Sequence, residues 1–189
     1  MTVNNLRAAA IADAMCDIRE IDATGIDRNS IELIGKRLLE LAKNRDLFPW
    51  SDFPSLASND GSTLYLLSQD EDHRFALYIQ SVADATEAPP HDHLTWACIA
   101  GIEGEEINRR YDLEGAGDPK ISEEVCVEEG VAIGFLPDDV HSIHVQGGAL
   151  NFHCYGNDLL KLPARNYWNA KLGVWLKKKV QFPIIDARV

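Results

Sequence analysis

Two histidines one residue apart, His91-Asp92-His93, follow Pro89-Pro90 and open the apolar run Leu94-Thr95-Trp96-Ala97-Cys98-Ile99-Ala100. Residues i and i+2 of a β-strand point to one face. A strand beginning here aims both imidazoles at one point and turns Asp92 away. Two convergent imidazoles are the start of a metal site, since each offers a ring-nitrogen lone pair. A third candidate ligand, His141, follows Gly134-Phe135-Leu136-Pro137-Asp138-Asp139-Val140. That stretch reads as a strand, a proline turn and the start of another strand. A structural zinc site fits poorly, because such sites close with four ligands and favour cysteine. Three neutral imidazoles instead leave the full divalent charge on a metal. They call for an anionic ligand from the substrate, and a thiol deprotonated by coordination would supply it. His73 and His144 read as ordinary core or surface histidines.

These residues need a frame. The first fifty residues look helical, with Leu6, Ile11, Met15, Ile18 and Ile21 at roughly helical spacing. Ser30 is placed to cap a second helix whose apolar face includes Ile31, Ile34, Leu38, Leu39 and Leu41. From Ser62 onward the texture changes to short apolar or alternating runs broken by turn residues. Expected strands are 64–67, 75–82, 93–102, 106–112, 125–127, 131–136, 142–145, 150–154 and 174–180. Gly115-Ala116-Gly117-Asp118-Pro119 and Gln146-Gly147-Gly148 read as turns. The fold class is mostly β, a sandwich or barrel, in a single domain with a helical region 1–54 and a β-barrel 62–189.

The chain of 189 residues is 46% hydrophobic and carries a net charge of -12. That charge argues against a nucleic-acid or anionic-membrane surface. The apolar stretch from Ala8 to Met15 is interrupted by Asp13 and lacks a basic leader, so no signal peptide is expected. No apolar run approaches membrane-spanning length. Cys16, Cys98, Cys126 and Cys154 show no CxxC spacing and read as reduced thiols, which suits a cytoplasmic protein.

The histidine pair, Gly104 and the Pro137–His141 turn together resemble the cupins, small β-barrels of jelly-roll type. The glutamate that cupins usually carry four or five residues after the second histidine is missing, and Ala97 and Cys98 stand there. Pro90-His91-Asp92-His93, Thr95-Trp96, the proline turn to His141, and His153-Cys154-Tyr155-Gly156 further resemble the cysteine dioxygenase family of thiol dioxygenases. The resemblance runs from the second helix to about Tyr167. Thr95-Trp96 is closer to the bacterial 3-mercaptopropionate dioxygenase branch.

That resemblance implies Fe(II) held by His91, His93 and His141, with O2 and a small thiol carboxylic acid as substrates and a sulfinic acid as product. It implies catalytic roles for Tyr155 and His153, the hydroxyl facing the iron-bound substrate and the imidazole orienting it. The family's usual serine two residues before this histidine is Asn151, which can still hydrogen-bond an imidazole. Cys98 matches the cysteine that in mammalian members forms a thioether with the tyrosine. A crosslink between Cys98 and Tyr155 is therefore one expectation and a free buried thiol the other. The bacterial branch clamps the substrate carboxylate with an Arg about nine residues after the tyrosine. Arg165, ten residues after Tyr155, is the candidate, with Arg74, Arg109 and Arg110 as alternatives. Two other readings stay open: a three-His cupin oxygenase with a non-thiol substrate, and a non-catalytic cupin that binds a metal or small ligand.

Overall fold

The computed structural model describes residues 2–56, 61–113, 118–180 and 184–189. Two helices come first, α1 (Val3–Ala23) and α2 (Arg28–Ala42), followed by two 3-10 turns at Arg45–Leu47 and Trp50–Asp52. Among the described residues twelve strands follow: β1 (Ser62–Ser68), β2 (Arg74–Val82), β3 (Thr86–His91), β4 (Ala97–Gly104), β5 (Glu106–Asp112), β6 (Lys120–Val127), β7 (Ala132–Phe135), β8 (Val140–Val145), β9 (Ala149–Asn157), β10 (Arg165–Asn169), β11 (Val174–Lys178) and β12 (Ile184–Asp186). The predicted turn residues Gly115, Ala116 and Gly117 lie outside the described residues.

The strands form two six-stranded sheets, ordered β12-β1-β2-β9-β4-β7 and β11-β10-β3-β8-β5-β6. Their central quartets, 2-9-4-7 and 3-8-5-6, have the order produced by two interleaved Greek keys. This is a jelly roll. Two apolar clusters fill the molecule. One lies between the sheets and includes Tyr78, Ile99, Phe135 and Tyr155. The other lies between the first sheet and the helices, where Met15, Ile34 and Leu38 meet Leu77, Cys98, Phe152 and Cys154. The split follows the period of two: Ala97 and Ile99 face the interior of the roll, while Cys98 and Ala100 face the helices.

The second helix is capped by Asp27, not Ser30. Asp27 accepts from the Ser30 backbone N–H at 2.8 Å, and the Ser30 hydroxyl accepts from the Asp27 N–H at 2.7 Å. Ser30 thus closes a reciprocal capping box from the third helical position. α2 sits close on β7 at Gly134, where a Cβ would fall 1.8 Å from Ile31 Cγ2. The helix also reaches the proline turn, since Arg28 makes a two-pronged ion pair with Asp139. Asp139 in turn accepts from the Leu136 N–H at 2.8 Å. The turn that delivers His141 is therefore braced from outside the barrel. No described helix is long and apolar enough to cross a membrane.

Candidate metal centre

His91 and His93 do not share a strand. His91 is the last residue of β3, and β4 starts only at Ala97. Between them the chain crosses from one sheet to the other, with Leu94 in the left-handed region at φ 57°. A third element fixes this crossing. Asp92, buried, accepts from the Asn166 backbone N–H at 3.1 Å and from the Asn166 side-chain amide. The imidazoles still converge, because a corner held by β10 replaces the expected strand pleat. His141 enters from β8, directly opposite His91 in the β3–β8 register.

One ligand nitrogen from each of His91, His93 and His141 can be chosen so that all lie within 4.8 Å of one another. His91 Nδ1 donates to the Pro89 carbonyl at 2.8 Å. His141 Nδ1 donates to Asn108 Oδ1 at 2.8 Å. Both rings thus keep Nε2 bare, and His141 Nε2 lies 3.2 Å from His93 Nε2. Burial, aided by the nearby Arg165 cation, pushes the His91 imidazole down to about 3. Burial and the neighbouring imidazoles hold His93 and His141 well below the ordinary histidine value. Three neutral rings with convergent lone pairs suit a divalent cation.

The centre opens onto a cavity of about 600 Å³ whose wall includes His91, His93, His153, Tyr155, Arg165 and Tyr167. Tyr155 OH and His153 Nδ1 are 3.1 Å apart, so the two β9 residues share the inward face as expected. Burial pushes the Tyr155 phenol well up, so it stays protonated. Arg165 is only 2% exposed. Its Nη2 donates to Tyr167 OH at 2.5 Å, and its Nε has no partner. Among the described residues, no carboxylate forms an ion pair with it. Tyr167, which the sequence did not single out, also stacks on His91 with centroids 5.2 Å apart.

The alternative arginines are engaged elsewhere. Arg74 pairs with Asp22, Arg109 with Glu124, and Arg110 with Glu123 and Asp139. His73 is exposed, and His144 lies between Arg109 and Glu87. Of the two expectations for Cys98, the sheet geometry supports the free buried thiol and not the crosslink to Tyr155. Cys98 is opposite Cys154 in the β4–β9 register and faces the helices, whereas Tyr155 is opposite Ala97 and faces the interior. A thioether would have to pass through the sheet. Asn151 also departs from expectation, since its amide donates to Glu106 Oε2 at 3.0 Å.

Two functional candidates had gone unread, Glu106 and Asn108. They point inward from β5 and are fully buried. Alternating polar residues in a strand ordinarily mark the solvent side, so their pattern gave no signal of an inward polar face.

No protein-family model matches the chain, and no curated protein matches it. Solved structures do. One is a cupin superfamily protein of Desulfitobacterium hafniense DCB-2, 13% identical, covering 61% of this chain and 88% of its own, with a TM-score of 0.44. Another is a protein with a double-stranded beta-helix domain from Klebsiella pneumoniae, 13% identical, covering 56% and 85%, at 0.44. KdgF from Halomonas sp. is 10% identical over 58% and 91%, at 0.46. The fold is a small jelly-roll β-barrel of the cupin type behind N-terminal helices. The strand order carries that statement without those structures, and the three-histidine cluster is its candidate metal site.

Proposed function

We propose that this cupin is a non-haem Fe(II) thiol dioxygenase acting on a small thiol carboxylic acid. The observation that carries the reading is Arg165, a buried cation on the same cavity wall as His91 and His93, with no carboxylate partner among the described residues. A buried, unpaired charge is costly unless a ligand completes it. A guanidinium suits a carboxylate through parallel N–H donors. The residues fit Fe(II): three bare ring nitrogens, no anion among the described residues in direct reach of them, and an open cavity beside them. His91, His93 and His141 would hold the iron, which would supply the redox chemistry for adding dioxygen to a thiol sulfur. The balance is RSH + O2 → RSO2H, with sulfur oxidised and dioxygen reduced.

The protein's own residues do the rest. Arg165 holds the carboxylate and so sets where the sulfur falls. Tyr167 holds Arg165 from one side and His91 from the other. Tyr155 offers its hydroxyl to the bound substrate, and His153 keeps that hydroxyl in place. The apolar lining from Leu64, Val82 and Ile143 limits water in the cavity. The free thiols suit a reducing, cytoplasmic setting.

The test is O2 uptake by protein loaded anaerobically with Fe(II), with sulfinate quantified. The thiols are cysteine, 3-mercaptopropionate, mercaptosuccinate and cysteamine. Stoichiometric uptake and sulfinate with a carboxylated thiol supports the reading. No uptake with any thiol at full iron loading moves the weight to another three-His oxygenase or a binding cupin.

A further inference from the structure

Glu106 is the least expected residue in the barrel. Its carboxylate is fully buried, with side-chain exposure of 0%. Among the described residues no Lys or Arg forms an ion pair with it. Its oxygens are served by two neutral amides, Asn108 Nδ2 at 2.9 Å on Oε1 and Asn151 Nδ2 at 3.0 Å on Oε2. Among the described residues the ionisable group within ion-pair distance of it is His153, whose Nε2 lies 3.8 Å from Oε2 and has no hydrogen-bond partner.

A carboxylate only accepts hydrogen bonds, so it dictates the orientation of every donor around it. Asn108 must turn its NH2 to Glu106, which leaves Oδ1 facing His141. His141 must then carry its proton on Nδ1 and keep Nε2 bare for a metal. The same carboxylate favours a proton on His153 Nε2. Nδ1 of that ring is then bare and accepts from the Tyr155 hydroxyl at 3.1 Å. One buried charge thus reaches both sides of the centre.

We infer that Glu106 is a positioning residue that sets the ring tautomers of His141, through Asn108, and of His153, directly. The negative charge absent from the three-histidine set is supplied one hydrogen-bonded residue behind it. Carboxylates behind metal-bound histidines orient ligands and raise their basicity, and here Asn108 transmits the effect. The inference shares the site of the proposed dioxygenase but is independent of its substrate.

The experiment is long-range 1H–15N correlation NMR of the histidine rings in the metal-free full chain at neutral pH. The His153 signals are assigned by their loss in His153→Gln, and the His141 signals by their loss in His141→Gln. The expected result in the unaltered protein is a proton on His153 Nε2 and on His141 Nδ1. In Glu106→Gln the amide supplies one acceptor oxygen where the carboxylate supplied two. His153 should then shift its dominant form to Nδ1–H, which donates to the Tyr155 oxygen. A His153 ring protonated at Nδ1 in the unaltered protein overturns the inference without any variant. So does a Glu106→Gln protein, folded by its amide dispersion, whose two rings keep their original tautomers. A dioxygenase assay that fails with every thiol leaves these ring signals unchanged, so the two readings fall separately.

Discussion

His141 and Asn108 meet at 2.8 Å, ring Nδ1 to amide Oδ1, on neighbouring strands of the same sheet. The contact converts a histidine with two equivalent-looking nitrogens into a ligand with one defined lone pair. Removing the ring itself removes the third ligand, so His141→Ala should abolish iron retention. Asn108→Ala should leave the ligand in place but weaken metal affinity about 10–100-fold, the usual effect of losing such a partner. Competition with a chromophoric chelator reads both. Unchanged affinity in His141→Ala would dismiss the metal site.

Arg165→Ala should act on substrate rather than on metal. A charge-assisted hydrogen bond is worth about 1.5–3 kcal/mol, so kcat/KM for a carboxylated thiol should fall by about 10–100-fold. Cysteamine, which lacks the carboxylate, should show no such loss. Equal losses for both thiols would mean that Arg165 supports the cavity wall instead of binding the acid.

Asp92 pins the corner that carries both first histidines. Asp92→Ala strands the Asn166 donors and frees the crossing from β3 to β4. The expected loss of stability is about 1–3 kcal/mol, read from urea unfolding, with weaker metal binding beside it. A variant with both properties intact would show that Leu94 and the flanking strands hold the corner without it.

The three buried imidazoles make stability depend on pH. Burial lowers all three, His91 to about 3, whereas in the unfolded chain each titrates near 6.5. The unfolded state therefore binds protons first as pH falls. This contribution is complete above about pH 6.5 and is lost progressively below it. The urea midpoint of the metal-free protein should drop between about pH 7 and pH 5, and His91→Gln should flatten that slope. A slope unaffected by His91→Gln would show that other groups set the pH dependence.

Cys98 and Tyr155 lie on opposite faces of the sheet. Peptide mass spectrometry after turnover should show both residues unlinked, and Cys98→Ala should keep kcat/KM for the same thiol. A peptide pair joined by a thioether would require a β4–β9 register other than Ala97 opposite Tyr155.

Much of the barrel was legible because burial on one side writes a period of two into the chain. The strands expected at 75–82 and 106–112 coincide with β2 and β5 to within a residue. β3 and β10 went unread for a physical reason. Thr86-Glu87-Ala88-Pro89-Pro90 and Arg165-Asn166-Tyr167-Trp168-Asn169 carry few aliphatic residues, and prolines argue against a strand interior. Both strands are held by their neighbours and by Asp92, contacts that local sequence does not record. β12 is three residues long and pairs in parallel with β1, too short for any periodic signal.

The sequence by itself determined the three histidines, the His153–Tyr155 pair and the candidate arginine, because residue type and spacing limit which groups can ligate, donate or clamp. It also determined a β-rich fold behind two helices, through the change of hydrophobic period near Ser62. Only the tertiary structure decided which face each residue takes where the chain turns a corner. That decision separated Cys98 from Tyr155, engaged Arg74, Arg109 and Arg110 elsewhere, and left Arg165 facing the cavity with no ion-pair partner among the described residues. It also turned Glu106 and Asn108 inward. An alternating polar pattern reads the same on a wet face and on a buried one, and packing of the second sheet chooses between them.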